Sequence, residues 1–402
     1  MDRRTLMKLL ATGACSAAAH PLLSTVTLAN TDGGAALGEH RLVVVILRGA
    51  QDGLDLVRPS ADPLFAQYRP TLSQGQGMDL DGYFSLSPHL DQLGPLWQAG
   101  HLGFVHATST PYRDGRSHFE GQDLLEAGTG LDLAPEARRE GWLNRLLQSL
   151  PGLQSQTAFS VGAEAMPLLQ GKAPAASWSP QTRLELSAQS RLLLEQIYHD
   201  DPLFRDAATE AIMLTESIDP ETLVSPMATA SSHSKRLGDI DSLAQFASQR
   251  LREDTRIAAL SLSGWDTHRN QNGLILAPMQ RLQRLILQLQ AGLGDAIWGK
   301  TVLLAMTEFG RTVAENGNQG TDHGTGGAML MAGGALKGGK LFGQWPGLEE
   351  AQLYDRRDLM PTSDVRAWAA WVMRGFYGLD QTLLQETIFP GLQMGDDPRI
   401  LA

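Results

Sequence analysis

Short apolar runs that end abruptly in polar, glycine-bearing loops recur along this chain. Their length and β-branched content are those of buried strands, and they cover residues 42–47, 102–106, 256–262, 301–306 and 328–332. An amphipathic helix is predicted at about residues 277–296, with Leu282, Leu285 and Leu289 on one stripe. A strand, a helix and a strand in this order form a βαβ unit, whose strands are parallel. The pattern therefore predicts an α/β protein with a mostly parallel sheet.

Helical patterns lie on either side of a less regular middle region. The Ser-x-x-Glu sequence at 117–120 is a capping-box pattern and predicts that a helix begins at Ser117. Residues 155–255 have a mixed pattern with helical periodicity at 182–198, 202–214 and 237–253, so a peripheral helical region is expected there. No repeat or low-complexity linker divides the sequence. Residues 30–402 are therefore expected to form a single domain.

The N-terminus has the charge pattern of an export signal. Arg3 and Arg4 precede a short apolar run and a small-residue exit, which is typical of a twin-arginine signal over residues 1–29; a basic tail is the alternative. The twin-arginine export machinery is then an expected partner, and the periplasm or the exterior the expected location. Cys15 is the only cysteine, so no disulfide can form within the chain, although a lipid could attach there.

The bulk composition argues against two classes of protein. A formal net charge of −11 leaves no basic surplus to neutralise phosphate backbones, so nucleic acid is not an expected partner. No apolar run beyond the signal approaches the ~18–20 residues that a membrane span needs. With 42% hydrophobic and 19% charged residues, the chain is expected to be a globular protein.

Acidic and histidine side chains gather where the predicted strands end. Because parallel strands end at one edge of a sheet, the loops that carry these residues should converge although they are far apart in sequence. Carboxylate and imidazole groups are ligands for divalent metals. A capping acid beside a surface histidine is the alternative for any one of these pairs. The candidate metal ligands are Asp52, Asp266, His268, Glu308, Asp322 and His323.

Ser117 is the candidate nucleophile. A hydroxyl at a helix N-terminus faces free backbone N–H groups and the positive end of the helix dipole, which stabilise a developing anion. The capping box already explains a serine there, and one residue can do both. Arg116 and Arg311 could hold a phosphate or sulfate oxygen, although surface salt bridges explain arginines equally well.

Five motifs occur in an order that resembles a known family. They are Leu-Arg-Gly-x-x-Asp-Gly, Arg-Ser-His-Phe, Gly-Trp-Asp-Thr-His, Thr-Glu-Phe-Gly-Arg-Thr and Gly-Thr-Asp-His-Gly. The chain resembles, over about residues 41–379, the bacterial family called domain of unknown function fifteen-oh-one. That family is in turn similar to the alkaline phosphatase and sulfatase superfamily. The resemblance implies a doubly wound, mostly parallel sheet flanked by helices, one or two divalent ions (Zn, Mn, Ca or Mg) and a nucleophile at a helix N-terminus.

The match to the superfamily is uneven across the motifs. Ser117 resembles the nucleophile, while Asp266, His268 and His323 resemble one set of metal ligands. The superfamily has an Asp directly after the first strand, where this chain has Arg48, with Asp52 four residues later. It also has an Asp-His pair after the 301–306 strand, where this chain has 308–309, Glu-Phe. Either Asp322–His323 replaces that pair or a second ion is missing.

Three functions fit these observations. The first is an exported, metal-dependent hydrolase of phosphate or sulfate esters that acts on a small-molecule or surface-polymer substrate. The second is a hydrolase-like protein that has lost catalysis and serves as a binding or assembly factor in the periplasm; the departures at Arg48 and Phe309 favour it. The third is a structural or carbohydrate-binding protein without a metal.

Overall fold

A nine-stranded sheet forms the centre of the computed structural model, which describes residues 37–113, 115–133, 138–150, 157–162, 164, 166–179 and 232–402. The strand order is β10-β4-β9-β8-β1-β7-β5-β6, and β11 also pairs with β4. These strands are β1 Arg41–Arg48, β4 Leu102–Ser109, β5 Ala158–Val161, β6 Ala176–Trp178, β7 Ile257–Ser263, β8 Thr301–Met306, β9 Gly327–Ala332, β10 Lys340–Phe342 and β11 Ser363–Asp364. A separate antiparallel pair consists of β2 Val57–Arg58 and β3 Ser85–Leu86.

The helices of the described residues alternate with these strands. They are α1 Gly53–Leu56, α2 Pro63–Tyr68, α3 Gly94–Gln98, α4 His118–Ala127, α5 Trp142–Gln148, α6 Ser232–Arg252, α7 Gln271–Leu274, α8 Leu276–Trp298 and α9 Val365–Tyr377. Tighter 3-10 turns cover Pro88–Leu93, Pro167–Leu169 and Glu350–Gln352, and a π-helical turn covers Leu383–Ile388. The segments predicted as helices at 182–198 and 202–214, and the export signal at 1–29, lie outside the described residues. No described helix has both the length and the hydrophobicity that crossing a bilayer requires.

The central strand β1 explains why helices cover both faces of the sheet. Its side chains alternate between two hydrophobic cores, with Leu42, Val44 and Ile46 in one and Val43, Val45 and Leu47 in the other. Helices α5 and α9 pack on the first core, whereas α6 and α8 pack on the second. A strand buried on both faces needs an unbroken apolar run, which is the pattern seen in the sequence. The predicted α/β class, with a doubly wound and mostly parallel sheet, is confirmed.

One strand runs against the others. Strand β1 is parallel to β7 and β8, and the outer pairs of the sheet are parallel too, but β9 is antiparallel to both of its neighbours, β4 and β8. The chain therefore leaves β8 and enters β9 at the same edge of the sheet. Both ends of the connecting loop, residues 307–326, lie at the carboxyl edge where the parallel strands end. Residues just before β9 consequently lie beside residues that follow β1, β7 and β8.

Residues 88–98 form two short helical elements rather than one helix. A 3-10 turn over Pro88–Leu93 precedes α3, and Leu90 has a non-helical backbone conformation. Pro95 lies in the first turn of α3, where its missing N–H costs nothing, but it cannot continue a helix from the preceding turn. The α-helix therefore begins only at Gly94.

A buried histidine in β4 makes the stability of this fold dependent on pH. His106 lies between the rings of Phe84 and Trp345, with centroid distances of 5.2 and 5.3 Å. Burial lowers the pKa of His106 from 6.5 to about 4. Between these values the unfolded chain binds more protons than the folded chain, so stability falls as the pH falls.

We expect the free energy of unfolding to decrease by up to about 1.4 kcal/mol per pH unit across this window because of His106. A His106→Phe variant keeps a ring at the position but carries no titrating nitrogen, so it should lose this part of the pH dependence. Denaturant unfolding of both proteins at a series of pH values measures the difference. Identical pH dependences would contradict the assignment to His106.

Candidate metal centre

Four side chains from three loops meet at the carboxyl edge of the sheet. His118, Asp266 and His323 each offer one ligand atom, and these atoms lie within 4.8 Å of one another. The Nε2 atom of His268 lies 3.0 Å from the Nε2 atom of His323 and 3.0 Å from Oδ1 of Asp266. Asp266 and His268 follow β7, His323 precedes β9, and His118 begins α4. The loops at Asp52, Ser117, Asp266 and Glu308 were expected to converge, and those at Ser117 and Asp266 meet here together with His323.

The hydrogen bonds of the three imidazoles orient them in the same way. In each ring Nδ1 contacts an oxygen: Glu308 Oε1 at 2.8 Å from His118, Asp322 Oδ1 at 3.1 Å from His268, and the carbonyl of Arg116 at 2.9 Å from His323. A carbonyl or an ionised carboxylate can only accept, so Nδ1 carries the hydrogen in each ring. A neutral ring of this tautomer offers the lone pair of Nε2, and all three Nε2 atoms lie on the side of Asp266, which is the arrangement of metal-binding histidines.

These distances and an unpaired nitrogen fit a bound ion. Nitrogen and oxygen ligands at 2.0–2.1 Å from a tetrahedral ion lie about 3.3 Å from one another. The Nε2 atoms of His268 and His323 lie 3.0 and 3.3 Å from Oδ1 of Asp266, and the Nε2 atom of His118 lies 3.5 Å from Oδ2. The Nε2 atom of His118 is buried without a hydrogen-bond partner. Such an atom costs free energy unless it binds something.

Glu308 lies behind His118 rather than beside the other ligand atoms. Its side chain is fully buried, and Oε1 accepts hydrogen bonds from the amides of Gly49 and Ala50 at 2.9 and 3.0 Å, as well as from His118 and Gln122. Burial opposes ionisation, but the hydrogen bonds from His118, Gln122 and the Gly49 amide outweigh it and hold the pKa of Glu308 below its usual value. The hydrogen bond to Glu308 in turn raises the pKa of His118. Glu308, expected as a candidate ligand, is therefore placed to orient the His118 ring instead.

A glycine lets the exits of β1 and β7 approach each other. Gly49 has a φ of +115°, and a Cβ atom at this position would lie 2.8 Å from the backbone nitrogen of Asp266. Any other residue would force the two loops apart. The close approach brings the Asp266 loop next to the amides that hold Glu308.

Arg311 braces the loops around the centre and is not placed to hold a substrate. Its side chain is completely buried. It donates to the carbonyls of Ala50, Gly49 and Trp265 at 2.7, 2.7 and 3.1 Å, and to Oδ1 of Asp266 at 2.6 Å. Burial raises the pKa of Asp266, but the hydrogen bond and charge of Arg311, together with the nearby His268 and His118, outweigh burial and lower it overall. Because no part of the guanidinium is exposed, the expected contact with a phosphate or sulfate oxygen does not fit.

Asp52 is likewise placed away from the ligand atoms. Its carboxylate forms a buried ion pair with Arg69, at 2.6 Å, and also accepts from the Leu54 amide at the start of α1 and from Gln271. Both members of the ion pair are 1% exposed. The two oxygens that a second ion would need are thus already occupied.

Ser117 and Arg116 lie at the rim of the centre. Ser117 is the N-cap of the ten-residue helix α4, and its Oγ accepts from the Glu120 amide at 3.5 Å, so the predicted cap is present. The carbonyl oxygen of Arg116 accepts a hydrogen bond from Nδ1 of His323, and His118 directly follows Ser117. The serine therefore stands between two residues that contact the centre. The Arg116 side chain is exposed.

Phe309 covers one side of the centre. Its ring lies 5.3 Å from the rings of both His118 and His323. The superfamily motif implied a ligand at this position. A buried aromatic ring there instead shields the two imidazoles from water.

His118 is the member of the centre that the sequence pattern does not reveal. It stands one residue after a serine cap, and the carboxylate two residues later, Glu120, is already explained by the Ser-x-x-Glu capping pattern. The only available signal was its place in the Arg-Ser-His-Phe motif. The structure shows the contact that the sequence could not reveal, in which buried Glu308 accepts a hydrogen bond from Nδ1 of His118 and orients the ring.

The chain is an α/β protein with a histidine and aspartate cluster that could hold a metal ion at the carboxyl edge of its sheet. Residues 91–369 match the family described as Protein of unknown function (DUF1501), and the chain belongs to this family. The family inferred from the five motifs is confirmed. No curated protein matches the chain in sequence.

Several solved structures are similar to this chain at low identity. The lipoteichoic acid synthase LtaP from Listeria monocytogenes is 10% identical, with 91% of this chain and 79% of that chain covered and a TM-score of 0.39. The PsFucS1 sulfatase from Pseudoalteromonas sp. is 11% identical, with 90% and 74% covered and a TM-score of 0.41. A protein in the alkaline phosphatase superfamily from Vibrio parahaemolyticus is 12% identical, with 93% and 74% covered and a TM-score of 0.37. These likenesses are too distant to transfer an activity or a residue role.

Proposed function

We propose that this protein is an exported hydrolase of phosphate or sulfate esters that depends on one divalent metal ion. The observation that carries the proposal is the set of three imidazoles, each with Nδ1 paired to an oxygen and with Nε2 directed at Asp266. His118, Asp266, His268 and His323 would hold the ion. Asp322 and Glu308 would orient two of these ligands, as carboxylates commonly do behind metal-bound histidines.

The donor set favours zinc among the candidate ions. Calcium, magnesium and manganese prefer shells made of oxygen, whereas imidazole suits zinc. Four side chains offer three nitrogens and one carboxylate, and the Nε2 atoms of His268 and His323 lie 3.0 and 3.3 Å from Oδ1 of Asp266, near the separation of ligands in a tetrahedral site. When bound, such an ion supplies Lewis-acid stabilisation of charge on the transferring group.

Ser117 and Arg116, at the rim of the centre, would contact the substrate. Ser117 is the proposed nucleophile, because its hydroxyl lies at the N-terminus of α4, where free backbone N–H groups and the helix dipole favour an anion. The exposed Arg116 is available to the outer oxygens of an ester. Phe309 keeps water from one side of the imidazoles, which strengthens electrostatic interactions on that side.

Metal analysis followed by an ester screen tests this proposal. Protein expressed with zinc and manganese supplied should carry about one equivalent of a divalent ion, as expected for a single centre. The loaded protein should hydrolyse a nitrophenyl phosphate or sulfate ester, and chelation should stop the reaction. Absence of any bound ion would contradict the proposal. Equal rates for the wild type and a Ser117→Ala variant would remove Ser117 from the mechanism.

A binding or assembly factor is the second candidate function. Asp52 is committed to Arg69 and Glu308 to backbone amides, so the described residues provide one centre where the superfamily resemblance implied up to two ions. A protein that holds a stoichiometric ion but hydrolyses no ester in the screen would support this candidate over the hydrolase.

The proposed location is the periplasm or the exterior. This rests on the paired Arg3 and Arg4 ahead of an apolar run, the pattern of a twin-arginine signal. That machinery exports folded cargo, which suits a protein that must acquire its ion before crossing the membrane.

A further inference from the structure

A buried glutamine outside the proposed ligand set joins the two loops that carry most of it. The side chain of Gln271 is fully buried, and its Oε1 atom accepts hydrogen bonds from Thr267 Oγ1 at 2.9 Å and from Thr321 Oγ1 at 2.7 Å. Thr267 stands between the two ligands of the first loop, and Thr321 directly precedes the 322–323 pair in the second. One amide oxygen thus connects the exit of β7 with the approach to β9.

The other end of the same amide is fixed to a buried ion pair. Nε2 of Gln271 donates to Oδ2 of Asp52 at 2.5 Å. Asp52 is held in turn by Arg69, whose guanidinium also donates to the carbonyls of Thr312 and Val313, each at 2.8 Å. The Gln271 amide is therefore bound to the Asp52–Arg69 ion pair, and moving this pair would expose two buried charges.

The backbones of the two loops leave little room for independent movement. The amides of Asn270 and Gln271 donate to the carbonyls of Asn318 and Gln319 at 2.9 and 2.8 Å. A Cβ atom added at Gly320 would lie 2.3 Å from the carbonyl carbon of His268. A shift of one loop must therefore displace the other.

From these contacts we propose that Gln271 is a positioning residue that sets the separation between the Asp266–His268 loop and the Asp322–His323 loop, and thereby the metal affinity of the centre. Its inferred effect on affinity rests on the proposed metal-dependent function, whereas the link between the loops does not. The role also accounts for Asp52, whose buried carboxylate serves as the anchor of the amide.

A matched pair of glutamine variants tests the effect on affinity. Gln271→Met keeps the length of the side chain but loses all three hydrogen bonds. Gln283→Met makes the same change at a buried glutamine of α8 that bonds the Gln92 amide at 3.0 Å and none of the ligand loops. In competition with a chelator, Gln271→Met should bind zinc about 10- to 100-fold more weakly, the usual effect of losing an outer hydrogen bond of a metal site. Gln283→Met should bind zinc as the wild type does. Equal zinc affinity in Gln271→Met and the wild type would contradict the proposed effect of Gln271 on the metal affinity of the centre.

Hydrogen exchange of the metal-free proteins provides a readout that needs no ion. Gln271→Met should increase amide exchange in residues 266–268 and 321–323 together, whereas Gln283→Met should not. If Gln271→Met does not fold, Thr321→Val can replace it, because it removes only the hydrogen bond from Thr321 to Gln271. This variant should still increase amide exchange in the other loop, in residues 266–268. Unchanged exchange in these variants would overturn the inference. A wild-type protein that binds no divalent ion would contradict the proposed function, while the exchange result would still decide whether Gln271 links the loops.

Discussion

Replacing Asp266 by alanine should abolish metal binding and reduce ester hydrolysis by more than about a thousandfold. Asp266 is the group at which all three imidazole Nε2 atoms converge, at 3.0 to 3.5 Å. Without its carboxylate the three nitrogens lose their only anionic co-ligand. Charge stabilisation by a bound ion is worth several kcal/mol, and about 4 kcal/mol corresponds to a thousandfold in rate. Metal content after gel filtration and the rate of nitrophenyl ester hydrolysis are the two measurements.

Asp322→Ala is the matched control for this experiment. Asp322 lies behind His268, with its Oδ1 atom 3.1 Å from Nδ1, and is not directed at the other ligand atoms. Its loss should weaken metal binding by only about 10- to 100-fold, as for other outer partners of ligand histidines. If Asp322→Ala loses the ion as completely as Asp266→Ala, then Asp322 is itself a ligand and the present assignment is wrong.

Removing Arg69 should destabilise the protein by about 3–5 kcal/mol, the typical cost of leaving one charge of a buried pair alone. In an Arg69→Met variant the Asp52 carboxylate, 1% exposed, would lose both of its guanidinium hydrogen bonds. The carbonyls of Thr312 and Val313 would lose their donors as well. Urea unfolding at neutral pH measures the loss.

A double variant separates this electrostatic cost from the loss of packing. Asp52→Asn combined with Arg69→Met leaves no unpaired charge, so it should be more stable than Arg69→Met alone. Asp52→Asn alone should still bind the ion, at most as weakly as Gln271→Met, because the Asp52 carboxylate contacts Arg69 and Gln271 and none of the proposed ligands. Complete loss of the ion in Asp52→Asn would restore Asp52 to the ligand set.

The strands were predictable because of how this sheet is buried. Strands covered on both faces need unbroken apolar runs, and the run at Thr301–Met306 has the same bounds as β8. The direction of β9 could not be predicted in this way, since the apolar run at 328–332 is compatible with either orientation. That direction places the Asp322–His323 pair at the centre, because the loop before an antiparallel strand lies at the edge where the parallel strands end.

The residue types of the centre were predictable, but the role of each residue was not. Asp52, Glu308 and Arg311 carry suitable chemistry at strand exits, yet all three are buried and bound to partners that are distant in sequence. Burial of this kind depends on which loops pack together. His118 shows the converse, since a lone histidine becomes a candidate ligand only when a buried carboxylate orients it.

The long sequence separations within the centre have a consequence for folding kinetics. His118 and His323 can meet only after the strands between them have assembled, so the centre depends on contacts that close long loops. Groups brought together this late contribute little to the folding transition state. An ion bound among these groups would then lower the unfolding rate of the protein without raising its folding rate.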